Sequence, residues 1–336
     1  MFKNPEKPIL ICLLIIFGLF LSYSSLLSVK INCNDIDILN IPNNSTASDV
    51  AKLLEKELCI NSKLFKTGVV ITFNQKSIKP GRYSLKGITN LRELLHLITS
   101  FKSDRTKFAL IEGWTINNIA DKLENLMKID RKKFVNLCKS QTFIRTLGFS
   151  NYTSLEGLLY PDTYWLLNTY SEEDIIIIFV NRFKEIYNKK VYPKMGKINL
   201  STLEIVTLAS IIQSEAMYED EMPIISSVYH NRLANNMLLQ ADPTIQYIIP
   251  GKPRRLYNKD LDIDSPYNTY KFKGLPPGPI NNPGLSALKA AIMPAETEYF
   301  YFVSNGEGRH IFTRNNEEHN QAKLELKRKR RLKRKM

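Results

Sequence analysis

The sequence predicts an α+β protein with a single N-terminal transmembrane helix, a small α+β module and a larger mixed α+β domain. Three observations predict it: an uncharged apolar run near the N-terminus, helix-period apolar patterns interleaved with short strand-like runs, and a long segment rich in Pro, Gly and Tyr. A chain of 336 residues is long enough for two or three domains. Its composition, 43% hydrophobic and 24% charged, is that of a globular protein and excludes a disordered chain.

The apolar run at residues 9–27 contains no charged side chain. As a helix it spans about 30 Å, the thickness of the bilayer core. Lys3 and Lys7 precede it, which predicts that residues 1–8 are cytoplasmic and that the rest of the chain is exported. The alternative is a cleaved signal peptide with a small-x-small site at residues 22–24, but the length of the run favours an uncleaved anchor.

Residues 36–104 are predicted to form the small module. A strand-like run at 36–41 precedes an amphipathic helix at 47–58, and a turn into a strand at 80–85 precedes a second amphipathic helix at 90–99. A module of this size lies near the lower limit for independent folding.

Residues 105–322 are predicted to form the larger domain, with its core at 155–322. Its predicted elements are strands at 107–111, 299–304 and 310–313, and helices at 116–126, 131–138, 172–188, 201–216 and 222–235. The stretch from about 248 to 284 shows almost no regular pattern. Loops of that length inside a compact domain usually cover or bind something.

Residues 323–336 are a basic tail, in which positions 327–335 carry eight positive charges. Removing those eight from the net charge of +14 leaves +6 for the rest of the chain. The tail suits nucleic acid, anionic lipid or an anionic wall polymer, and it also fits a solvated helix end. No zinc spacing, phosphate loop or RNA-binding signature is present, so no nucleic-acid partner is expected. The scattered Cys and His residues predict no metal site, and no cofactor is expected.

Glu215 is the residue most suited to chemistry. The helix predicted at 201–216 is apolar almost all round, which indicates a buried helix. An acid at its C-terminal end has its pKa raised by burial and by the helix dipole. A carboxylic acid protonated near neutral pH is what general-acid cleavage of a glycosidic bond needs. The alternative is a solvated residue beyond the helix end.

No second acid stands out as a partner for Glu215. Glu219 lies one turn further on, but the acids at 219–221 are better explained as helix-start residues ahead of Pro223. The sequence therefore offers one strong carboxyl rather than the usual glycosidase pair.

Two polar and aromatic segments are candidates for sugar binding, because rings stack on sugar faces while amides and hydroxyls fix the OH groups. Their candidate residues are Gln240, Asp242, Thr244 and Tyr247 in the first, and Ser265, Tyr267, Asn268, Thr269 and Tyr270 in the second. Asp242, before a proline, is equally explained as the cap of a short helix.

Five blocks carry a resemblance to a known family. They are Leu-Glu-Gly-Leu-Leu-Tyr-Pro-Asp-Thr-Tyr at 155–164, Ala-Ser-Ile-Ile-Gln-Ser-Glu at 209–215, Val-Tyr-His-Asn-Arg-Leu at 228–233, Leu-Gln-Ala-Asp-Pro-Thr at 239–244, and Ser-Pro-Tyr-Asn-Thr-Tyr at 265–270 followed by Gly-Leu-Pro-Pro-Gly-Pro-Ile at 274–280. In order and spacing they resemble the endolytic murein transglycosylases, also called the MltG or YceG-like family. The resemblance covers nearly the whole chain beyond the apolar run.

The resemblance implies a lytic transglycosylase that cleaves the β-1,4 bond between N-acetylmuramic acid and N-acetylglucosamine and leaves a 1,6-anhydro end. In that chemistry the 6-hydroxyl of the substrate attacks, so one carboxyl acts first as acid and then as base. The family's catalytic glutamate matches Glu215, and many members carry another glutamate where this chain has Gln213. The matching blocks add Glu156, Asn231 and Arg232 to the expected substrate-binding residues, and residues 36–104 resemble the family's LysM-like module.

The resemblance also implies a place in the cell. A single-pass protein of the bacterial inner membrane is expected, with a cytoplasmic N-terminus and the catalytic domain on the periplasmic side. It would terminate nascent glycan strands beside the peptidoglycan synthases. The alternatives are a non-catalytic wall-binding scaffold, a lysozyme-like hydrolase that needs a second carboxylate or a positioned water, and a tethered nucleic-acid binder built on the tail.

Overall fold

A computed structural model describes residues 27–31, 38–42, 45–72, 78–85, 87–99, 105–168, 170–196, 198–251 and 253–333, and the single positions 18, 24 and 25. Apart from positions 18, 24, 25 and 27, the predicted anchor at 9–27 lies outside the described residues. Within the described part of the chain, no helix has the length and apolar character needed to cross a membrane. The described residues form two compact units, one up to Thr106 together with Leu166–Tyr170, and one made of the remainder.

The first unit is built around a two-stranded antiparallel sheet. Strand β1 (Ile38–Ile41) pairs with β2 (Gly81–Ser84). Helices α1 (Ala47–Leu58), α2 (Ser62–Ile71) and α3 (Leu91–Thr99) complete the unit, and a capping box between Thr46 and Asp49 begins α1. The buried side chains include Leu39, Leu54, Phe65, Leu94 and Ile98. The predicted strands and amphipathic helices are confirmed, with small differences at their ends.

The second unit begins at Lys107, within strand β3 (Arg105–Ala109), which pairs with β4 (Thr163–Leu167). Between them lie helices α4 (Ile116–Met127), α5 (Arg131–Lys139) and α6 (Gln141–Thr146), and α7 (Glu172–Ile186) follows β4. Thr115 caps α4 through its side-chain oxygen. Strand β4 was not predicted from the sequence. Its first two residues belong to the stretch 155–164, whose Gly, Pro and Asp residues indicate turns, although the strand itself is rich in aromatic and branched residues.

The centre of the second unit is helix α8 (Thr202–Glu215), whose residues from Ile205 to Ile212 are all buried. A capping box between Ser201 and Glu204 begins it. Helices α9 (Met222–Ala234), α10 (Asp242–Ile248) and α12 (Leu285–Ile292) pack against α8. The all-round apolar character of this helix is thus explained by partners on several sides, as predicted.

The C-terminal part consists of an antiparallel hairpin and a long helix. Strands β5 (Tyr301–Ser304) and β6 (His310–Thr313) pair with each other, and α13 (Asn316–Lys333) packs against both. The long segment before α12 contains the short helix α11 (Asn258–Leu261) and otherwise turns, as its composition predicts. Helix α13 runs through position 323, where the basic tail was predicted to begin, because no glycine or proline interrupts it.

Candidate active site

Glu215 is the last residue of α8 and lies at the surface of a groove. Ile211 and Ile212, one turn before it, are fully buried and fix the helix end in the core. The hydroxyl of the buried Tyr229, on α9, donates a hydrogen bond of 3.1 Å to Oε1 of Glu215. The carboxyl is therefore held by the protein, and the alternative of a solvated residue beyond the helix end is wrong.

The protein surroundings raise the pKa of Glu215 to about 7, first by burial of the carboxyl and second through the negative charge of Asp242. The hydrogen bond from Tyr229 and the charge of Arg232 act in the opposite direction on this pKa. The direction predicted from the sequence is confirmed, and the result is an acid close to half-protonated at neutral pH.

Two cavities meet at Glu215 and Asp242, which line both of them. The larger, about 540 Å³, is lined in addition by Gly113, Thr115, Asn118, Gln213, Ser214, Pro243, Gln246, Tyr247, Pro253, Ile280 and Asn281. The smaller, about 420 Å³, is lined by Arg232, Leu239, Gln240, Tyr270, Phe302, Val303, Ser304, His310, His319 and Lys323. The two acids thus lie at the junction of a groove that extends in both directions.

Asp242 is an exposed residue and the first residue of α10. Ala241 occupies the cap position, so the interpretation of Asp242 as a helix cap is wrong. The hydroxyl of Tyr270 donates a hydrogen bond to Oδ1 of Asp242. No second carboxylate beside Glu215 was predicted from the sequence. The structure corrects this, since Glu215 and Asp242, 27 positions apart in the chain, meet at one site.

Gln240 lines the smaller cavity and Tyr247 lines the larger one. Gln240 adopts a left-handed backbone conformation with φ of 47°, and its N–H donates to the carbonyl of Thr269 at 3.0 Å. Such a conformation is uncommon for a residue with a side chain and is often found at functional sites. The ring of Tyr247 packs against that of Tyr267, with ring centroids 5.1 Å apart.

Thr244, Asn268 and Thr269 are buried and line neither cavity. The Thr269 hydroxyl accepts a hydrogen bond from the Ala241 N–H and bonds to the Thr244 hydroxyl, each at 2.9 Å. Asn268 donates to two backbone carbonyls, at 2.7 and 2.9 Å, and its side-chain oxygen accepts from the N–H of Tyr270. These side chains position Tyr270 and the start of α10, and their direct contact with substrate stays a prediction.

Ser265 and Tyr267 also lie outside the cavity linings. The hydroxyl of Ser265 accepts a hydrogen bond of 3.3 Å from the N–H of Tyr267, which closes a local turn. Tyr267 supports the wall of the larger cavity through its ring contact with Tyr247.

Asn231 and Arg232 fasten α9 to the segment that leads into β5. The side-chain amide of Asn231 donates to the carbonyls of Thr297 and Tyr299, each at 2.9 Å. Arg232 is buried and donates to the carbonyls of Phe300, at 2.6 Å, and Leu239, at 2.8 Å. Of the two, Arg232 also lines the smaller cavity, where its charge acts on Glu215.

Glu156 is buried and lines neither cavity. Its carboxyl accepts hydrogen bonds of 3.0 Å from the N–H of Ile116, at the start of α4, and from the side-chain amide of Asn282. Burial raises the pKa of Glu156 to about 8, although both hydrogen bonds lower it. The structure thus gives Glu156 a supporting role in the fold, and its predicted contact with substrate is untested.

Glu156→Gln is expected to remove a pH dependence of stability. In the unfolded chain a glutamate has a pKa of about 4.3, whereas the folded chain keeps Glu156 protonated up to about pH 8. Between these two pH values the folded state therefore binds more protons than the unfolded state. The contribution of Glu156 to the free energy of unfolding falls as pH rises through this window, by at most about 1.4 kcal/mol per pH unit. Thermal unfolding from pH 5 to 8 measures the slope, which should be shallower in Glu156→Gln and unchanged in the exposed control Glu124→Gln.

Asn281 and Asn282 were not among the residues predicted from the sequence to belong to the site. The amide of Asn281 donates to the Ser210 carbonyl, at 2.8 Å, and to the Ser214 hydroxyl, at 2.7 Å. The Asn282 side chain accepts from the N–H of Leu159 and donates to the Trp114 carbonyl, both at 2.9 Å. The sequence feature that could have identified these two residues is a pair of side-chain amides in an otherwise apolar and proline-rich run.

The acids at 219–221 form a 3₁₀ turn at the start of α9, where they were predicted. Two of them also hold the β5–β6 hairpin. Asp220 pairs with Arg309 at 2.8 Å, and Glu221 pairs with the His310 ring at 3.1 Å and accepts from the His310 N–H at 3.0 Å.

The chain is similar in sequence and in fold to known proteins. Residues 39–325 match the model of the YceG-like family. The chain is 34% identical to a Bacillus subtilis protein named endolytic murein transglycosylase, over 92% of this chain and 90% of that protein. A Streptococcus pneumoniae serotype 2 protein of the same name is 27% identical, over 90% of this chain and 60% of the longer relative. A crystal structure of a yceG-like protein from Listeria monocytogenes superposes with a TM-score of 0.61 at 32% identity, covering 84% of this chain and 97% of that one.

Proposed function

Because this chain belongs to the YceG-like family, we propose that it is a lytic transglycosylase that cleaves peptidoglycan glycan strands at internal bonds. The observation that carries the proposal is the position of Glu215, an acid with a pKa of about 7 at the junction of two cavities. A groove that continues on both sides of the acid accommodates a strand that passes through, which cleavage at internal bonds requires. The substrate is the glycan strand, the polymer that the names of the relatives imply.

Glu215 serves both halves of the reaction. Its protonated carboxyl donates the proton to the glycosidic oxygen, and the bond from that oxygen to C1 of the muramyl residue breaks with the electron pair on the leaving sugar. The carboxylate then accepts the proton of the muramyl 6-hydroxyl as O6 bonds to C1, which closes the 1,6-anhydro ring and restores the acid. A pKa near the working pH suits a group that must both give and take a proton.

Asp242 and Tyr229 assist Glu215 in different ways. The negative charge of Asp242 keeps part of the Glu215 population protonated and faces the positive charge that develops on the sugar ring as the bond breaks. Tyr229 donates to Oε1 of Glu215 and so fixes the orientation of the carboxyl.

A lysozyme-like hydrolase is the second candidate, and the observation in its favour is Asp242, the second carboxylate at the junction. Digestion of uncrosslinked glycan strands, with products analysed by mass spectrometry, separates the two. Anhydro-muramic ends support the lytic transglycosylase, and reducing ends identify a hydrolase. A folded chain that cleaves nothing supports a non-catalytic wall-binding scaffold.

Asp242→Asn is expected to shift the pH profile of cleavage. Removing the negative charge lowers the pKa of Glu215, so activity that depends on its protonated form is lost at a lower pH than in the wild type. The loss of charge near the developing positive charge should also lower kcat, by about 10- to 100-fold. Rates measured from pH 5 to 9 test both effects. Asp264→Asn, an exposed acid outside the cavities, is the control, and an equal shift in that variant would contradict the assignment.

The place of the enzyme in the cell is a further part of the proposal. The uncharged run at 9–27 supports a single anchor in the bacterial inner membrane, with residues 36–104 as a LysM-like module and the catalytic domain 105–322 on the periplasmic side. There it would terminate nascent strands beside the synthases. Membrane fractionation of the full chain and of a chain without residues 1–30 tests the anchor. The full chain should be found with the membranes and the truncated chain should not; a truncated chain that stays with the membranes would contradict the anchor.

A further inference from the structure

The two cavities that meet at Glu215 differ in charge. Apart from Glu215 and Asp242, the larger is lined by neutral side chains, among them Asn118, Gln246 and Tyr247. The smaller is lined by all the basic residues of the groove, Arg232, His310, His319 and Lys323. An anionic part of a ligand is therefore favoured in the smaller cavity.

Three of these basic residues already have partners or are neutral. The Arg232 guanidinium donates to backbone carbonyls, and the His310 ring bonds to the Glu221 carboxylate. His319 stacks on the ring of Tyr301 with centroids 5.2 Å apart. Its pKa is lowered to about 4, by burial first and then by the charges of Lys323 and Arg232, so His319 is uncharged at neutral pH.

Lys323 is different. It is exposed, lies near the middle of α13 and lines the smaller cavity. Among the residues that the structure describes, it makes no hydrogen bond or ion pair with another side chain. Its ammonium group is therefore available to a ligand in this cavity. Lys323 is also the first residue of the basic segment, which the proposed function does not use.

We propose that Lys323 binds a carboxylate on the lactyl-peptide side chain of the muramyl residue that becomes the anhydro end, so that the enzyme prefers strands whose peptide stems carry free carboxylates. The inference rests on the proposed function. The sugar backbone of the strand is neutral, and its negative charges are on the muramyl side chains. A cation in the wall of the smaller cavity therefore places that muramyl residue in the smaller cavity and the leaving N-acetylglucosamine in the larger one.

Equilibrium binding tests the proposal without turnover, in the full chain with Glu215→Gln. The two ligands are uncrosslinked strands with free stem carboxylates and the same strands after conversion of these carboxylates to methylamides. The free-carboxylate strands should bind about two- to fivefold more tightly, the range for one exposed ion pair. Adding Lys323→Gln should abolish this preference and leave binding of the methylamide strands unchanged, whereas Lys323→Arg should keep it.

Lys327→Gln, one turn further along α13 and outside the cavity lining, is the matched control and should keep the preference. Equal binding of the two ligands overturns the inference, and so does an equal loss in Lys323→Gln and Lys327→Gln, which would indicate only a diffuse attraction. The absence of binding to either ligand overturns it as well. Failure of the proposed function is recognised separately, by reducing ends or no cleavage in digests with the wild-type chain.

Discussion

Glu215→Gln is expected to lower kcat for glycan-strand cleavage by about 10³- to 10⁴-fold, with the affinity for the strand nearly unchanged. Glutamine has the shape of the protonated acid and can still accept the hydrogen bond from Tyr229, so the groove keeps its form. It cannot give a proton to the glycosidic oxygen or take one from the 6-hydroxyl. Both halves of the reaction therefore lose their proton-transfer group.

Anhydro-muramic ends counted by mass spectrometry measure the rate, and equilibrium binding measures the affinity. Glu219→Gln is the matched control, because Glu219 is an exposed acid one turn further on that accepts a hydrogen bond from the Ser286 hydroxyl. It should stay within about twofold of the wild type. If Glu215→Gln kept a tenth of the activity, or if Glu219→Gln lost as much, the assignment of Glu215 would be wrong.

Gly157→Ala is expected to destabilise the second unit by about 3 kcal/mol or more. Gly157 has φ of +83°, a left-handed conformation that costs a residue with a side chain about 1–2 kcal/mol. An added Cβ would also lie 2.6 Å from Cγ of Pro279 and 2.7 Å from Cγ1 of Val206. Because Val206 belongs to α8, relief of this overlap has to move the helix or the wall beside it, at a further cost of about 1–3 kcal/mol.

Urea unfolding of the wild type and of the variant measures this loss. Gly148→Ala separates the two contributions, because Gly148 has the same φ of +83° but a Cβ there would lie 3.8 Å from its nearest neighbour, the flexible end of Lys184. That variant should lose only the backbone contribution, about 1 kcal/mol. Equal losses in the two variants would show that packing at Gly157 contributes nothing.

What could be predicted from the sequence was mostly local. The apolar spacing of α1 and the all-round apolar character of α8 are set by neighbours along the chain, and both helices have nearly their predicted bounds. Glu215 was identified because an acid at the end of a buried helix conflicts with local preference, which often marks a functional residue. The motif blocks then supported the same residue independently.

The contacts between distant segments could not be predicted. Asp242 acts on Glu215 because α10 packs beside the end of α8, and no pattern in either segment specifies that approach. Asn268 was predicted to bind substrate because polar residues in loops commonly do, and Arg232 because it lies in a block that resembles the family. In the structure both side chains donate to backbone carbonyls, since buried polar groups must be satisfied. Their contact with substrate stays a prediction.

The hydrogen bonds that tie the segment before α12 to α8 have a consequence for catalysis. Asn281 donates to the Ser210 carbonyl and the Ser214 hydroxyl, and the Gln213 side chain accepts from the N–H of Gly284 at 2.9 Å. This side of the groove is therefore preorganised, and the conformational entropy of ordering it is lost during folding and not during association with a strand. A strand therefore meets a surface on this side that these hydrogen bonds have already ordered.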